Sequence, residues 1–213
     1  FLVFRAGLWY NIGEIIACHG EAPRRMSKDA ALLGAGPMEG NMETNLCANC
    51  FAGLTASGGK CPVCGWDDST PQPPEALGCH TVVASRYQVG RVKAQNGEGI
   101  TYAALDLTTQ KLVELREFFP TALAQRAEDG TAAPRSGKES LFDQYLDDFI
   151  DLAKNVSRLR EVTVVHSVLD IFEENYTAYA VYEYVPSVTL GRYLENSGGS
   201  LPWNTANRMF QPI

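Results

Sequence analysis

The sequence predicts an α+β fold in which an antiparallel sheet carries a single helix. Three short runs rich in β-branched and aromatic residues come first, one amphipathic segment follows them, and two more β-type runs come after it. The dipeptide Asn96–Gly97 separates the first two runs and is a turn signal of strands joined by a hairpin. These observations predict five antiparallel strands and one helix, in the order three strands, helix, two strands.

Each predicted element has its own local pattern. The helix is predicted at 140–159, because apolar residues recur there at spacings of three and four. Acidic residues lie mainly in the first half of that segment and basic residues near its end, as the helix dipole favours. The strands are predicted at 87–92, 99–106, 112–118, 164–173 and 176–185, with a loop at 120–138.

Four cysteines form a candidate metal site. Cys47 and Cys50 make one C-x2-C pair, Cys61 and Cys64 make another, and ten residues separate the pairs. Such paired knuckles are typical of a zinc ribbon, in which four thiolates surround one ion in a tetrahedron and leave no position for a substrate. The spacing therefore predicts a structural zinc ion. Two disulfides in a secreted module are the alternative, which nothing else in the chain favours.

The charge of the chain argues against a nucleic-acid function. The formal net charge is −7, and the segment 42–69 contains Lys60 as its only basic residue. A phosphate backbone is repelled by such a surface. The two remaining cysteines, Cys18 and Cys79, are expected to stay reduced in the cytoplasm.

Composition divides the chain into successive segments. The first residue is Phe1, and we expect 1–41 to be a poorly ordered or non-native extension with neither a signal peptide nor a membrane span. Residues 42–68 form the predicted zinc ribbon. Residues 69–78 are rich in proline and predict a semi-rigid linker that holds the ribbon apart from the next folded unit. The α+β domain is predicted at 79–200.

Several segments carry a family resemblance. They are RYQVGRV, GEGITYAALDLTTQKLV, REFFP and VLDIFEENYTAYAVYEYVPSVTLGRYL. Together they resemble the N-terminal lobe of bacterial serine/threonine protein kinases, and most closely the branch in which a short zinc ribbon precedes the kinase domain. The resemblance implies that the α+β domain is a kinase-like N-lobe, that 201–213 begin a C-lobe, and that the chain is truncated before the catalytic aspartate.

The resemblance implies a phosphate-binding loop after the first strand. In the family, the pattern G-x-G-x-x-G lets bare backbone approach the nucleotide phosphates. Here Ala94 and Asn96 replace the first two glycines and Glu98 replaces an aromatic residue at the tip, where a carboxylate repels phosphate oxygens. Gly97 and Gly99 remain, either as nucleotide contacts or as hairpin glycines without a ligand.

The resemblance also implies a charge pair that holds the phosphates. The lysine of the third strand aligns on Arg116, and the helix glutamate that pairs with it aligns on Leu152. Asp148 lies one helical turn earlier and is a candidate replacement partner for Arg116; a salt-bridged structural role for Arg116 is the alternative. We expect Arg116, and neither Lys93 nor Lys111, to face the phosphates, and an ammonium beside a carboxylate in that cleft would overturn this assignment.

A hinge for the adenine base is implied next to these residues. The segment YEYV resembles the family's hinge, so the backbone at Glu183 and Val185 would receive the base of any bound nucleotide. Tyr182 would stand at the gatekeeper position, where its ring narrows the cleft.

These substitutions lead to a functional hypothesis with two alternatives. Loss of the loop glycines, the lysine and the helix acid predicts a pseudokinase of a bacterial signalling protein, with impaired binding of ATP and magnesium and a function in binding proteins. The first alternative is a divergent active serine/threonine kinase, which transfers phosphate from ATP to a protein substrate and whose catalytic loop lies beyond residue 213. The second is an adaptor whose zinc ribbon binds a partner protein through exposed Phe51, Leu54 and Trp66.

Overall fold

The computed structural model describes residues 46–54, 59–159, 165–185 and 190–210. The chain divides into two units, of which the larger covers Met42–Tyr184 and the other includes Val185–Ile213. The predicted N-terminal extension lies outside the described residues. Within the described part of the chain, no helix combines the length and the apolar character that crossing a membrane requires.

The larger unit is built on a curled antiparallel sheet. Its elements in chain order are β1 (Val82–Val83), β2 (Tyr87–Gln95), β3 (Gly99–Asp106), β4 (Lys111–Phe118), β5 (Ala124–Arg126), β6 (Ala132–Pro134), α1 (Glu139–Ser157), β7 (Val168–Glu174) and β8 (Thr177–Glu183). Six strands form the main sheet in the order β1-β2-β3-β4-β8-β7. The α+β class and the order of the five predicted strands are confirmed. The sixth strand, β1, was missed because two residues are too few to show a period.

Helix α1 packs against the sheet through aromatic side chains. Phe142 and Phe149 lie on its buried face, and their ring centroids are 5.3 and 5.6 Å from that of Phe118 on β4. The predicted apolar stripe therefore identifies the packed face. The second unit contributes α2 (Leu190–Asn196) and α3 (Trp203–Phe210).

The predicted loop at 120–138 is wrong in part, because it contains the hairpin of β5 and β6. The turn between them is closed by Asp129, whose Oδ1 accepts hydrogen bonds from the Thr131 N–H (2.9 Å) and hydroxyl (2.7 Å). Gly130 follows with a φ of +87°, a backbone conformation that glycine tolerates best. The Asp–Gly dipeptide was a turn signal, but strands of three residues are too short to show alternation.

The two faces of the sheet follow from the register of β3 and β4. Leu105 lies opposite Leu112, Ala103 opposite Glu114, and Thr101 opposite Arg116. Directly opposed residues share one face, and residues two apart along a strand do so as well. We call this the inner face; it consists of Thr101, Ala103, Leu105, Leu112, Glu114, Arg116 and Phe118, and it is the face on which α1 packs.

The opposite face contains a buried ion pair. Glu117 is fully buried, and its two carboxylate oxygens accept hydrogen bonds of 2.7 Å each from the guanidinium of Arg126. Tyr102 donates to the same carboxylate at 2.7 Å, and the Tyr102 oxygen accepts the backbone N–H of Leu77 at 3.1 Å. Burial and the Glu117 charge both raise the pKa of Tyr102, so that it remains a donor. The end of the predicted linker is thereby attached to the core.

Replacing this carboxylate should destabilise the unit more than removing one hydrogen bond to it. Glu117→Gln leaves the guanidinium of Arg126 buried without a counter-charge, so we expect a loss of about 3–5 kcal/mol in the free energy of unfolding. Tyr102→Phe removes one hydrogen bond to a charged group and should cost about 1.5–3 kcal/mol. Urea unfolding of both variants provides the measurement. Equal losses would show that the ion pair adds nothing beyond its hydrogen bonds.

Candidate functional site

The four predicted ligand cysteines meet at one point. Their sulfur atoms all lie within 4.8 Å of one another. The Sγ atoms of Cys47 and Cys64 are 3.6 Å apart, and those of Cys50 and Cys61 are 3.7 Å apart. Four sulfurs at zinc–sulfur distances of about 2.3 Å in a tetrahedron lie about 3.8 Å from one another. The Cys47–Cys64 and Cys50–Cys61 pairs match this separation, so the cluster could hold a metal ion such as zinc. All four are free thiols.

The two knuckles have the same backbone geometry. In the first, the N–H of Phe51 donates to the carbonyl of Cys47 at 2.8 Å; in the second, the N–H of Gly65 donates to the carbonyl of Cys61 at 2.8 Å. The residue after each pair has a positive φ, +56° at Phe51 and +74° at Gly65. Backbone N–H groups of Cys64 and Val63 lower the pKa of Cys61 to about 7, which favours its thiolate, whereas burial raises the pKa of Cys47 and of Cys50.

The first knuckle lies against the inner face of the sheet. Phe51 is only 8% exposed and forms a cluster with Ala103 and Leu105, against which Leu46 and Leu112 pack. The expectation that the proline-rich segment holds the ribbon apart from the sheet is therefore wrong.

The expected exposure of the adaptor residues is wrong for Phe51 and holds only in part for Leu54 and Trp66, which are both half-buried. Phe51 is buried in this cluster. Trp66 is half-buried, with the guanidinium of Arg91 centred 5.0 Å from its ring. Exposure could not be judged from the sequence, since both residues flank cysteines rather than lying in a periodic element.

Arg116 is bound by the loop that resembles a phosphate-binding loop. Its guanidinium donates to Glu98 at 3.2 Å, to the side-chain oxygen of Asn96 at 3.3 Å and to the hydroxyl of Thr101 at 3.2 Å. The side chain is 15% exposed and that of Glu98 is 28% exposed, so water screens this pair only partly. Two of the three residues that depart from the family's loop pattern, Asn96 and Glu98, thus bind Arg116.

A second ion pair lies on the same face, two residues earlier along β4. Lys93 pairs with Glu114, and its ammonium lies 4.9 Å from the ring centroid of Tyr184. The arrangement named above as contrary to the Arg116 assignment, an ammonium beside a carboxylate, therefore does occur on the inner face, toward the hinge-like segment, whereas Arg116 lies next to the loop. The alternation of β4 could have revealed Glu114, because it shares the face of Arg116, but its partner on a bulged strand could not be inferred.

The other residues predicted to bind a nucleotide lie in different surroundings. Asp148 is exposed on α1 and forms no ion pair in the described part of the chain, whereas Arg116 pairs with Glu98. Gly97 is exposed with open space around it. Gly99 is buried, and a Cβ there would collide with the carbonyl of Glu117. The close approach of β3 to β4 is therefore sufficient reason for a glycine at this position.

The hinge-like segment is hydrogen-bonded within the larger unit. The backbone N–H of Glu183 donates to the carbonyl of Ser167 at 3.2 Å, and the carbonyl of Glu183 contacts Nε2 of His166. The half-buried ring of Tyr182 packs on the imidazole, with centroids 5.2 Å apart, and burial raises the pKa of its hydroxyl. Val185 begins the second unit.

Comparisons with known proteins support the fold. No protein-family model matches the sequence, and no curated protein matches it. Among solved structures the chain is similar to the apo form of PpkA-294, a bacterial serine/threonine kinase, with a TM-score of 0.57 and 24% sequence identity. The similarity covers 63% of this chain and 47% of that one, so this chain spans about half its length. The fold is therefore kinase-like, of the N-lobe type, which confirms that part of the expected resemblance.

The cysteine cluster predicts the metal content of the protein. We expect one zinc ion per chain, and Cys61→Ser should lose it because three thiolates no longer complete the tetrahedron. Cys79→Ser is the matched control, since this thiol lies outside the cluster. Metal analysis of the purified variants gives the stoichiometry. Retention of a full equivalent by the Cys61 variant, or its loss from the Cys79 variant, would contradict the ligand set.

Proposed function

We propose that this chain is a kinase-like signalling module with impaired ATP binding, which acts by binding other proteins and holds a structural zinc ion in its ribbon. The observation that carries the proposal is the engagement of Arg116 by Glu98 and Asn96. In the resembling family this position holds nucleotide phosphates. Here a carboxylate of the same chain takes the place of the phosphate oxygens.

Electrostatics make this exchange unfavourable for a nucleotide. A triphosphate on the loop would have to displace Glu98 from Arg116 and remain close to the released carboxylate. Two like charges about 4 Å apart at a partly screened site repel by about 4 kcal/mol. Arg116 is already neutralised by Glu98, so little binding free energy is gained when a phosphate replaces that carboxylate.

The base end of the inner face is engaged as well. The Lys93 ammonium, paired with Glu114, lies over the ring of Tyr184, within the hinge-like segment that the resemblance assigns to the adenine base. The carbonyl of Glu183, which would accept a hydrogen bond from the base, already contacts His166. Both ends of the implied nucleotide site are thus bound by the chain itself, which supports a function that does not depend on ATP.

Nucleotide titration tests this proposal on the full chain, including any C-lobe that follows residue 213. About 1 mM Mg-ATP should not raise the melting temperature of the natural sequence, because a ligand stabilises only near or above its dissociation constant. Glu98→Gln removes the repelling charge and releases Arg116. This variant should bind Mg-ATP at least about tenfold more tightly, equivalent to about 1.4 kcal/mol.

Asp148→Asn is the matched control, because it removes one carboxylate from the exposed surface of α1 instead of the loop. It should leave the affinity unchanged. Sub-millimolar binding by the natural sequence would contradict the proposal. A change in the Asp148 variant alone would indicate that the helix acid, and not the loop, governs the site.

A divergent active kinase is the second candidate function, and the Lys93–Glu114 pair is the observation that favours it. An ammonium paired with a carboxylate is the combination that the family uses to hold phosphates. Here the pair lies two residues away from the aligned position, on the same inner face. A relocated pair of this kind would retain the chemistry with different residues.

Phosphoryl transfer distinguishes this candidate from the first. If the full chain transfers the γ-phosphate of ATP to itself or to a protein, Lys93→Met should lower the rate at least about a hundredfold, since loss of a phosphate-holding charge costs several kcal/mol of transition-state stabilisation. Lys111→Met is the control, because Lys111 is exposed at the start of β4. Absence of transfer by the natural sequence would reject the second candidate.

A further inference from the structure

The ribbon contacts the sheet at a position that only glycine permits. A Cβ on Gly90 of β2 would collide with the carbonyl oxygen of Ala48 and lie 2.7 Å from the ring of Phe51. Gly90 has a negative φ, so its backbone conformation does not require glycine. The absence of a side chain therefore serves the close approach of the first knuckle to the strand.

The residues inside the first knuckle complete the hydrogen bonding of β2. Short strand β1 pairs with β2 at Tyr87 and Gln88, and His80 and Thr81 just before it bond to the backbone of Val89. Further along, the backbone N–H of Arg91 donates to the carbonyl of Ala48 at 2.7 Å, and its Nε donates to Asn49 at 2.6 Å. An uncovered strand edge exposes unpaired backbone groups, and here the ribbon covers them.

Two further contacts extend this cover along the strand. The backbone N–H of Val92 donates to the side-chain oxygen of Gln72 at 2.8 Å. The guanidinium of Arg91 lies on Trp66, which follows the second knuckle, with 5.0 Å to the ring centroid. Arg91 therefore contacts both knuckles, whose relative position depends on the shared cysteine cluster.

Phe51 holds an unfavourable backbone conformation at this interface. Its φ of +56° costs a side-chain-bearing residue about 1–2 kcal/mol, and the equivalent position of the second knuckle is Gly65. The ring is buried against Ala103 and Leu105 on the inner face. Burial of an aromatic ring offsets the strain, which accounts for a phenylalanine where the knuckle alone favours glycine.

We propose that the ribbon is a metal-dependent support of β2, so that the zinc ion controls the stability of the β2–β3 half of the sheet. The metal fixes the two knuckles to each other; Ala48, Asn49 and Phe51 of the first and Trp66 beside the second then hold β2. Without the ion, the two knuckles lose the bonds that fix them to each other, and their cover of β2 is weakened. The proposal rests on the zinc assignment and is independent of nucleotide binding.

Hydrogen exchange of the zinc-loaded full chain, with and without a chelator, tests this proposal. Removal of zinc should raise the exchange rates of backbone amides in β2 at least about tenfold, because the opening free energy of the strand falls by about 1.4 kcal/mol or more. Amides of α1 should change less than about twofold, since α1 packs on Phe118 and not on the ribbon. Metal analysis accompanies each sample.

The substitution Phe51→Gly separates the effect of the Phe51 ring contact from the effect of the metal. Glycine accepts the positive φ, as Gly65 does, so the knuckle should keep its zinc while losing the ring. With zinc bound, β2 of this variant should already exchange as fast as in the chelated natural protein.

Three results of the exchange measurements would overturn the proposal. The first is slow exchange in β2 after complete removal of zinc from the natural protein. This measurement needs no substitution. The second is an equal rise in α1, which would mean that zinc supports the whole unit. The third is a zinc-loaded Phe51→Gly variant in which the amides of β2 exchange as slowly as in the zinc-loaded natural protein. A purified chain without zinc would overturn the metal assignment and this proposal together, while leaving the nucleotide titration unaffected.

Discussion

Each inner-face side chain of β4 from Leu112 to Phe118 is engaged by another part of the chain. Leu112 packs on the cluster around Phe51, Glu114 pairs with Lys93, Arg116 is held by the loop, and Phe118 contacts α1. Successive positions on one face of a strand lie about 7 Å apart, so four separate elements meet this strand in sequence. The ribbon, β2, the loop and the helix are all positioned by the alternation of β4.

This constraint explains how a kinase-like sheet can be stable without a ligand. A cleft that holds a nucleotide keeps cations unpaired for the phosphates, at a cost in stability when it is empty. In this chain the cations of the inner face are neutralised by carboxylates of the same chain, through Arg116–Glu98 and Lys93–Glu114. Pairing lowers the cost of partly buried charge. Under the proposed function, it also lowers the affinity of the site for anions. Stability and ligand binding are opposed at these residues.

The ribbon belongs to the same architecture rather than to a separate module. Gly90 admits the first knuckle, Arg91 bonds to it, and Phe51 takes up a strained backbone in order to bury its ring. Because both the first knuckle and β2 contribute such features, the interface between them is specific. A structural metal ion held by these cysteines would act on the sheet through packing and hydrogen bonds.

The elements and the ligand set were determined by the sequence itself, because both depend on local spacing. Runs of β-branched and aromatic residues located five strands, a 3.6-residue period located α1, and two C-x2-C pairs located the cysteine cluster. The Asp129–Gly130 hairpin and β1 were missed because strands of two or three residues show no period. The partners of Arg116, Glu114 and Phe51 were decided only by the tertiary structure. Those contacts join residues from 15 to more than 50 positions apart through register, a bulge in β2 and the approach at Gly90, and no pattern within a short window encodes such a distance.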